Sequence, residues 1–164
     1  MVGVSAARFH GTPLVTEDVD FLVRDTPLNR RKIARVAAAL GPEIRMARLG
    51  ELTTAVRLQG SDPPVDFLFA LGGGLRFESV RSRATKISPG SGRVWVASLQ
   101  DVIASKEAAD RPKDKATLWI LKQTAEINQR LAEGPGGFEP PKVAERRARY
   151  RLKRRPRARA ATRS

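Results

Sequence analysis

The sequence predicts an α/β domain, a small mixed β-sheet flanked by helices, followed by a disordered basic tail. Three observations lead there. Strand-like runs at Thr16–Val23 and Val65–Leu71 stand on either side of a well-capped helical segment. Two more helical segments fill the stretch from Leu99 to Leu131. Beyond Gly134 large apolar residues become scarce and like charges crowd together, a composition that cannot bury a core.

Taken in order, Val2 to His10 reads as a strand end or turn running into a brief helix, punctuated by Gly11, Thr12 and Pro13. TEDVDFLV (Thr16–Val23) alternates polar and apolar residues, then turns apolar, as a strand does. Thr26 is placed to cap the next helix. Pro27 sits at its first position, where a missing N–H costs nothing. Leu28, Ile33, Val36, Ala37 and Leu40 recur at helical spacing, and Gly41-Pro42 ends the run. Strand candidates follow at Ile44–Arg48 and Thr53–Leu58, and Ser61 to Pro64 turns the chain into VDFLFAL (Val65–Leu71). A short helix is expected over Leu75–Arg83 and a short strand over Val94–Ala97. Ser98 with Asp101 opens a helix over Leu99–Ala109, Arg111-Pro112 breaks it, and a second helix covers Asp114–Leu131 with Leu118, Leu121 and Ala125 on one face. The domain is thus expected over residues 1–133. A Gly/Pro linker and Arg-rich tail occupy 134–164, with some local helix over Val143–Leu152.

Composition excludes several classes. The 164 residues contain no cysteine, so disulfides and thiolate metal sites are ruled out, and a cytoplasmic location is the simplest expectation. There is no apolar run long enough for a membrane helix and no secretory-signal pattern at the first residues. The formal charge of +14 is uneven: Lys142–Ser164 carries 11 basic residues against Glu145 alone, while the preceding 141 residues carry a net +4. The tail therefore suits electrostatic contact with nucleic acid. Tyr150 is its only aromatic among the arginines, which argues against sequence-specific readout.

The chemistry-bearing pattern is acidic. Asp18 and Asp20 lie two apart on an expected strand, so both carboxylates project to one side while Val19 and Phe21 face a core. Asp66 repeats the pattern between Val65 and Phe67, in a strand where a lone buried acid would be costly. If the two strands are neighbours, three carboxylates meet. Their repulsion calls for a cation, and magnesium is the natural one, because it takes oxygen ligands and leaves sites for substrate phosphates. Two such ions could orient a triphosphate and activate a hydroxyl.

With those residues in view, the chain from Val2 to Leu121 resembles the minimal nucleotidyltransferase superfamily, the DNA polymerase β-like fold. It looks closest to the small bacterial branch related to abortive-infection and type IV toxin–antitoxin toxins. Four ordered blocks carry the resemblance: VGVSAARFHG (Val2–Gly11), TEDVDFLV, VDFL (Val65–Leu68) and VASLQDVIASKEAADRPKD (Val96–Asp114). It implies that Asp18 and Asp20 hold metal with the triphosphate and that Asp66 completes a second metal site and acts as base toward an acceptor hydroxyl. Gly3 would let backbone approach phosphate. Ser5, one step past that turn, and Thr16, placed to hydrogen-bond near the acids, are further candidates for nucleotide binding. Lys106 would touch phosphate, with Arg111 and Lys113 in support. The implied reaction moves a nucleoside monophosphate from an NTP to a hydroxyl on RNA, protein or a small molecule, and a cognate antitoxin is an implied partner.

The sequence departs from the family in three places. Val4 follows Gly3 where Gly or Ser is usual, and a β-branched residue resists positive φ. Leu14 stands where a basic residue is frequent. The helix and most of the strand that usually precede the first block are absent, which points to a late start or a shortened domain. Two alternatives stay open: a catalytically impaired binding module of the same fold, and a basic nucleic-acid-binding protein with a scaffold body. His10 is read as a helix-end packing residue, and Trp95 and Trp119 as core. Gly72–Gly74 is read as a flexible turn, because no Lys-Ser or Lys-Thr follows it as in a Walker motif.

Overall fold

The computed structural model describes residues 1–48, 55–90 and 92–134. Its elements are α1 (Gly3–Phe9), β1 (Val19–Leu22), α2 (Pro27–Leu40), β2 (Arg45–Arg48), β3 (Ala55–Gln59), β4 (Val65–Leu68), a 3-10 turn (Gly72–Gly74), α3 (Phe77–Arg83), β5 (Thr85–Ile87), β6 (Val94–Val96), α4 (Leu99–Ala109) and α5 (Pro112–Glu133). The α/β class is as expected. Residues 135–164, with the linker, tail and local-helix readings, lie outside the described residues, as do Thr53 and Thr54 of one expected strand.

The main sheet is mixed, in the order β1-β4-β3-β2. β1 runs parallel to β4, and β3 is antiparallel to both β4 and β2. Alternation along these strands separates two cores. Val56, Leu58, Val65 and Phe67 face α2, where Ile33 and Ala37 pack on them, and Phe21 stacks on Phe67 at 5.8 Å between ring centroids. On the other face Leu22 and Leu68 join a larger core built from α1, α3, α4 and α5 with the small β5-β6 ribbon. The acidic positions Asp20 and Asp66 fall on this second face, where a gap between sheet and helices holds the candidate site.

Local signals account for the helix ends. The Thr26 hydroxyl accepts from Asn29 N at 3.2 Å, and the Ser98 hydroxyl accepts from Asp101 N at 3.1 Å, so each caps its helix. Pro112 opens α5 at its first position. Gly72 packs so closely on α4 that a Cβ there would strike the Ser105 carbonyl, which makes this glycine a packing requirement; Gly72–Gly74 forms a short 3-10 turn.

Several expectations need correction. β1 starts at Val19, so Asp18 sits just before the strand, and β4 ends at Leu68, three residues early. β5 was not anticipated; it exists because Thr85–Ile87 pairs with Val94–Val96. Leu28, Val36 and Leu40 are exposed, since only Ile33 and Ala37 meet the sheet. Trp95 and Trp119 are also surface residues, 37% and 59% exposed. Trp95 lies under the Arg81 guanidinium at 3.2 Å from the ring centroid, a cation–π contact that offsets its exposure. Among the described residues no helix is long and apolar enough to cross a membrane.

Candidate functional site

Strand register brings the acids together. In the parallel β1–β4 pair Asp20 lies opposite Asp66, and in the antiparallel β3–β4 pair Asp66 lies opposite Arg57. Asp20, Asp66 and Arg57 thus form one row across three strands on one face. Asp18 joins from the residue before β1, and one carboxylate oxygen from each of Asp18, Asp20 and Asp66 lies within 4.8 Å of the others. The row opens into a cleft of about 720 Å³, lined also by Gly3 and Val4 of α1 and by Lys106, Arg111 and Lys113.

Each carboxylate is held differently. Asp18 accepts from the Thr16 hydroxyl at 2.6 Å, and its carbonyl accepts from the Ser5 hydroxyl at 2.7 Å. Ser5 is buried and does not line this cleft; its hydroxyl anchors the backbone beside Asp18. Asp20 is tied through its carbonyl to Val2 N at 2.9 Å, the bridge that sets α1 against β1. Asp66 is buried and receives a two-pronged contact from Arg57, Nε to Oδ1 at 2.7 Å and Nη2 to Oδ2 at 2.6 Å. The same guanidinium stands 4.0 Å from Asp18 Oδ2.

Arg57 was missed in the sequence. The only signal available was arithmetic: strands pairing across the turn at Ser61–Pro64 put residue 57 opposite residue 66. Asp66 holds the guanidinium even further toward its charged form, because the hydrogen bond to the carboxylate outweighs desolvation. One cation is therefore already present among three acids, and it leaves Asp20 with the least compensation. Burial, together with repulsion from Asp18 and Asp66, raises the Asp20 carboxyl from 3.8 to about 6. A group so poised gives up its proton when a cation arrives. Magnesium affinity is expected to be flat above about pH 7 and to fall, by about tenfold per pH unit for one competing proton, as pH drops below the value near 6. Calorimetric titration with Mg²⁺ at pH 5, 6 and 7.5 checks this; equal affinities at all three would contradict it.

Gly3 has φ of +66°, and a Cβ there would collide with Asp20 Oδ2. At Val4 the backbone is unstrained, because the positive φ falls on Gly3 and Val4 continues the helix. Gly3→Ala is expected to push Asp20 aside and lower stability by about 1 kcal/mol or more. Thermal unfolding combined with loss of the magnesium response would report it; an unchanged response would show that the close approach is dispensable.

Across the cleft, Lys106 and Arg111 are gathered by Asp114, which is 1% exposed. Lys106 Nζ donates at 2.7 Å and Arg111 Nε at 2.6 Å. Burial by itself would raise the Asp114 carboxyl, but the two cationic donors outweigh it and leave the group below its ordinary value. Lys113, on the first turn of α5, has no carboxylate partner among the described residues. Asp101, also on the cleft wall, is held by Arg83 and the Ser98 hydroxyl. His10 plays the packing part expected of it: its Nε2 lies 2.8 Å from the Ala97 carbonyl at the end of α1.

The donor set suits a hard divalent cation: three carboxylates, converging oxygens, no sulfur and no imidazole. The chain matches no protein-family model and no curated protein.

Proposed function

We propose that this protein is a metal-dependent nucleotidyltransferase that moves a nucleoside monophosphate from a triphosphate to a hydroxyl acceptor. The observation that carries the reading is the convergence of one carboxylate oxygen each of Asp18, Asp20 and Asp66 within 4.8 Å, in a cleft that Lys106, Arg111 and Lys113 also line. Magnesium, when bound, supplies the positive charge that offsets three carboxylates and a triphosphate at once.

The chain's own residues supply the rest. Asp18 and Asp20 hold the cation, and Thr16 fixes the Asp18 carboxylate in place. Lys113 is free to meet phosphate, while Asp114 sets Lys106 and Arg111 on the same wall. Gly3 admits backbone close to the acids. The acceptor oxygen attacks the α-phosphorus, pyrophosphate leaves, and the acceptor's proton passes to Asp66, which requires Arg57 to release one of its two oxygens. RNA, a protein side chain and a small molecule all offer such a hydroxyl. A cysteine-free chain suits work in the cytoplasm, where a cognate antitoxin would act on it.

One observation favours a second reading. Both Asp66 oxygens are engaged by Arg57, an arrangement that suits a member of the fold that binds nucleotide without transferring it. Incubation with α-labelled triphosphates and magnesium, over RNA and protein acceptors, separates the two. Transferred label that disappears in Asp18→Ala/Asp20→Ala supports the enzyme. Triphosphate binding without transfer supports the binding module.

A further inference from the structure

We propose, resting on the metal site proposed above, that Arg57 occupies the place of a second metal ion. The site then takes one divalent cation, on Asp18 and Asp20, where three converging carboxylates by themselves would call for two.

Sheet register puts the guanidinium there. Arg57 on β3 stands opposite Asp66, and Asp66 stands opposite Asp20 on β1, so a fixed positive charge ends the row of acids. Its Nε lies 2.7 Å from Asp66 Oδ1. Its Nη2 lies 2.6 Å from Asp66 Oδ2 and 4.0 Å from Asp18 Oδ2. One group thus reaches both carboxylates that a second ion would have to bridge. Asp66 is buried, so a cation must stay with it. Release of the Nη2 contact for proton transfer still leaves the Nε contact, and the guanidinium keeps its place.

Counting oxygens gives the same answer. Both Asp66 oxygens accept from Arg57, and Asp18 Oδ1 accepts from the Thr16 hydroxyl. Among the described residues, Asp18 Oδ2 and the two Asp20 oxygens are the triad oxygens without a hydrogen bond. They suffice for one magnesium ion, which takes one or two carboxylates and keeps several waters. An ion on Asp66 would face the guanidinium across a shared oxygen, and the two cations would repel each other. Charge agrees: three carboxylates and one guanidinium leave two negative charges, which one divalent ion balances.

The test counts Mn²⁺ bound to the full chain by equilibrium dialysis up to about 1 mM, the weak end of specific binding. Electron paramagnetic resonance then types the bound metal, since two ions about 4 Å apart, as in paired-metal sites, couple their spins. Wild type should hold one ion per chain with an uncoupled spectrum, and Asp18→Ala/Asp20→Ala should lose it. Arg57→Ala should hold two, with a coupled spectrum. Arg57→Gln keeps a donor to Asp66 and drops the charge; it should also gain the second ion, and it carries the test if Arg57→Ala does not fold. Arg57→Lys keeps the charge and should stay at one. Two coupled ions in wild type, or a single ion in Arg57→Gln, would overturn the proposal and leave the metal site standing. A wild-type chain that binds no more Mn²⁺ than Asp18→Ala/Asp20→Ala would overturn both.

Discussion

Replacing Asp20 by asparagine is expected to make the protein more stable and, in the same step, to end metal-dependent transfer. The charged carboxylate is held beside Asp18 and Asp66 in a partly desolvated cleft, and its pKa of about 6 measures that discomfort against 3.8 for a free side chain. The sign follows from proton linkage. Between those two values the folded state binds the extra proton, so the penalty is absent below 3.8, grows as pH rises, and is complete above about 6. At pH 7 its removal should add about 2 kcal/mol, the displacement discounted for partial solvent access. The same substitution takes away a cation ligand, so transfer should fall at least about a hundredfold, the scale seen when one group stabilising developing charge is removed. Denaturant unfolding at pH 7 with and without magnesium, beside the labelling assay, reads both effects. A less stable Asp20→Asn protein, or one that still responds to magnesium as wild type does, would contradict the electrostatic account.

The second large effect is expected at Arg57. Asp66 is 4% exposed and, among the described residues, has Arg57 as its one side-chain hydrogen-bond partner, so Arg57→Ala strands a buried charge. Breaking such a pair costs about 3 kcal/mol, at the lower end of the range because the guanidinium is partly solvated. That corresponds to a fall of about 10 °C in the unfolding midpoint. Magnesium should recover much of the loss, since the freed carboxylate gains a cation in place of the guanidinium. The midpoint shift on adding magnesium should therefore be larger in Arg57→Ala than in wild type. Arg57→Lys should fall between them, because an ammonium cannot reproduce the two-pronged contact. Calorimetric scans of the three proteins with and without the ion check this. A variant as stable as wild type would show that Asp66 does not depend on Arg57.

How far the sequence reveals this arrangement depends on the range of the interaction. Thr26 and Ser98 cap helices through contacts three residues away, so their helices are readable from the chain alone. The pairing of Asp18 with Asp20 is nearly local and equally readable. Asp66 is visible because an acid interrupts an apolar strand. Arg57 is not, because its importance exists only after β3 and β4 have paired in one particular register. β5 hides for the same reason: Thr85–Ile87 is too short to declare itself and forms by pairing with Val94–Val96. Trp95 and Trp119 mislead in the opposite direction. Their composition suggests a core, but which face of α5 meets the domain is decided by Leu121, Thr124 and Asp114, and Trp119 lies on the other side. Ser5 reads in the sequence as a nucleotide-binding candidate at the phosphate turn; the direction of its hydroxyl, toward the Asp18 carbonyl, is set by the packing of α1 on β1 and is not legible there.

The claim beneath the rest is that Asp18, Asp20 and Asp66 share one cation site. The most direct measurement is an anomalous difference map from crystals grown with Mn²⁺ and a non-hydrolysable nucleoside triphosphate. The account predicts a peak within about 2.2 Å of oxygens from Asp18 and Asp20, close to the ordinary range for a hard divalent ion, with the triphosphate reaching toward Lys106 and Lys113. A map with no peak among these three carboxylates, while Arg57 keeps both oxygens of Asp66 in the presence of the nucleotide, would contradict it.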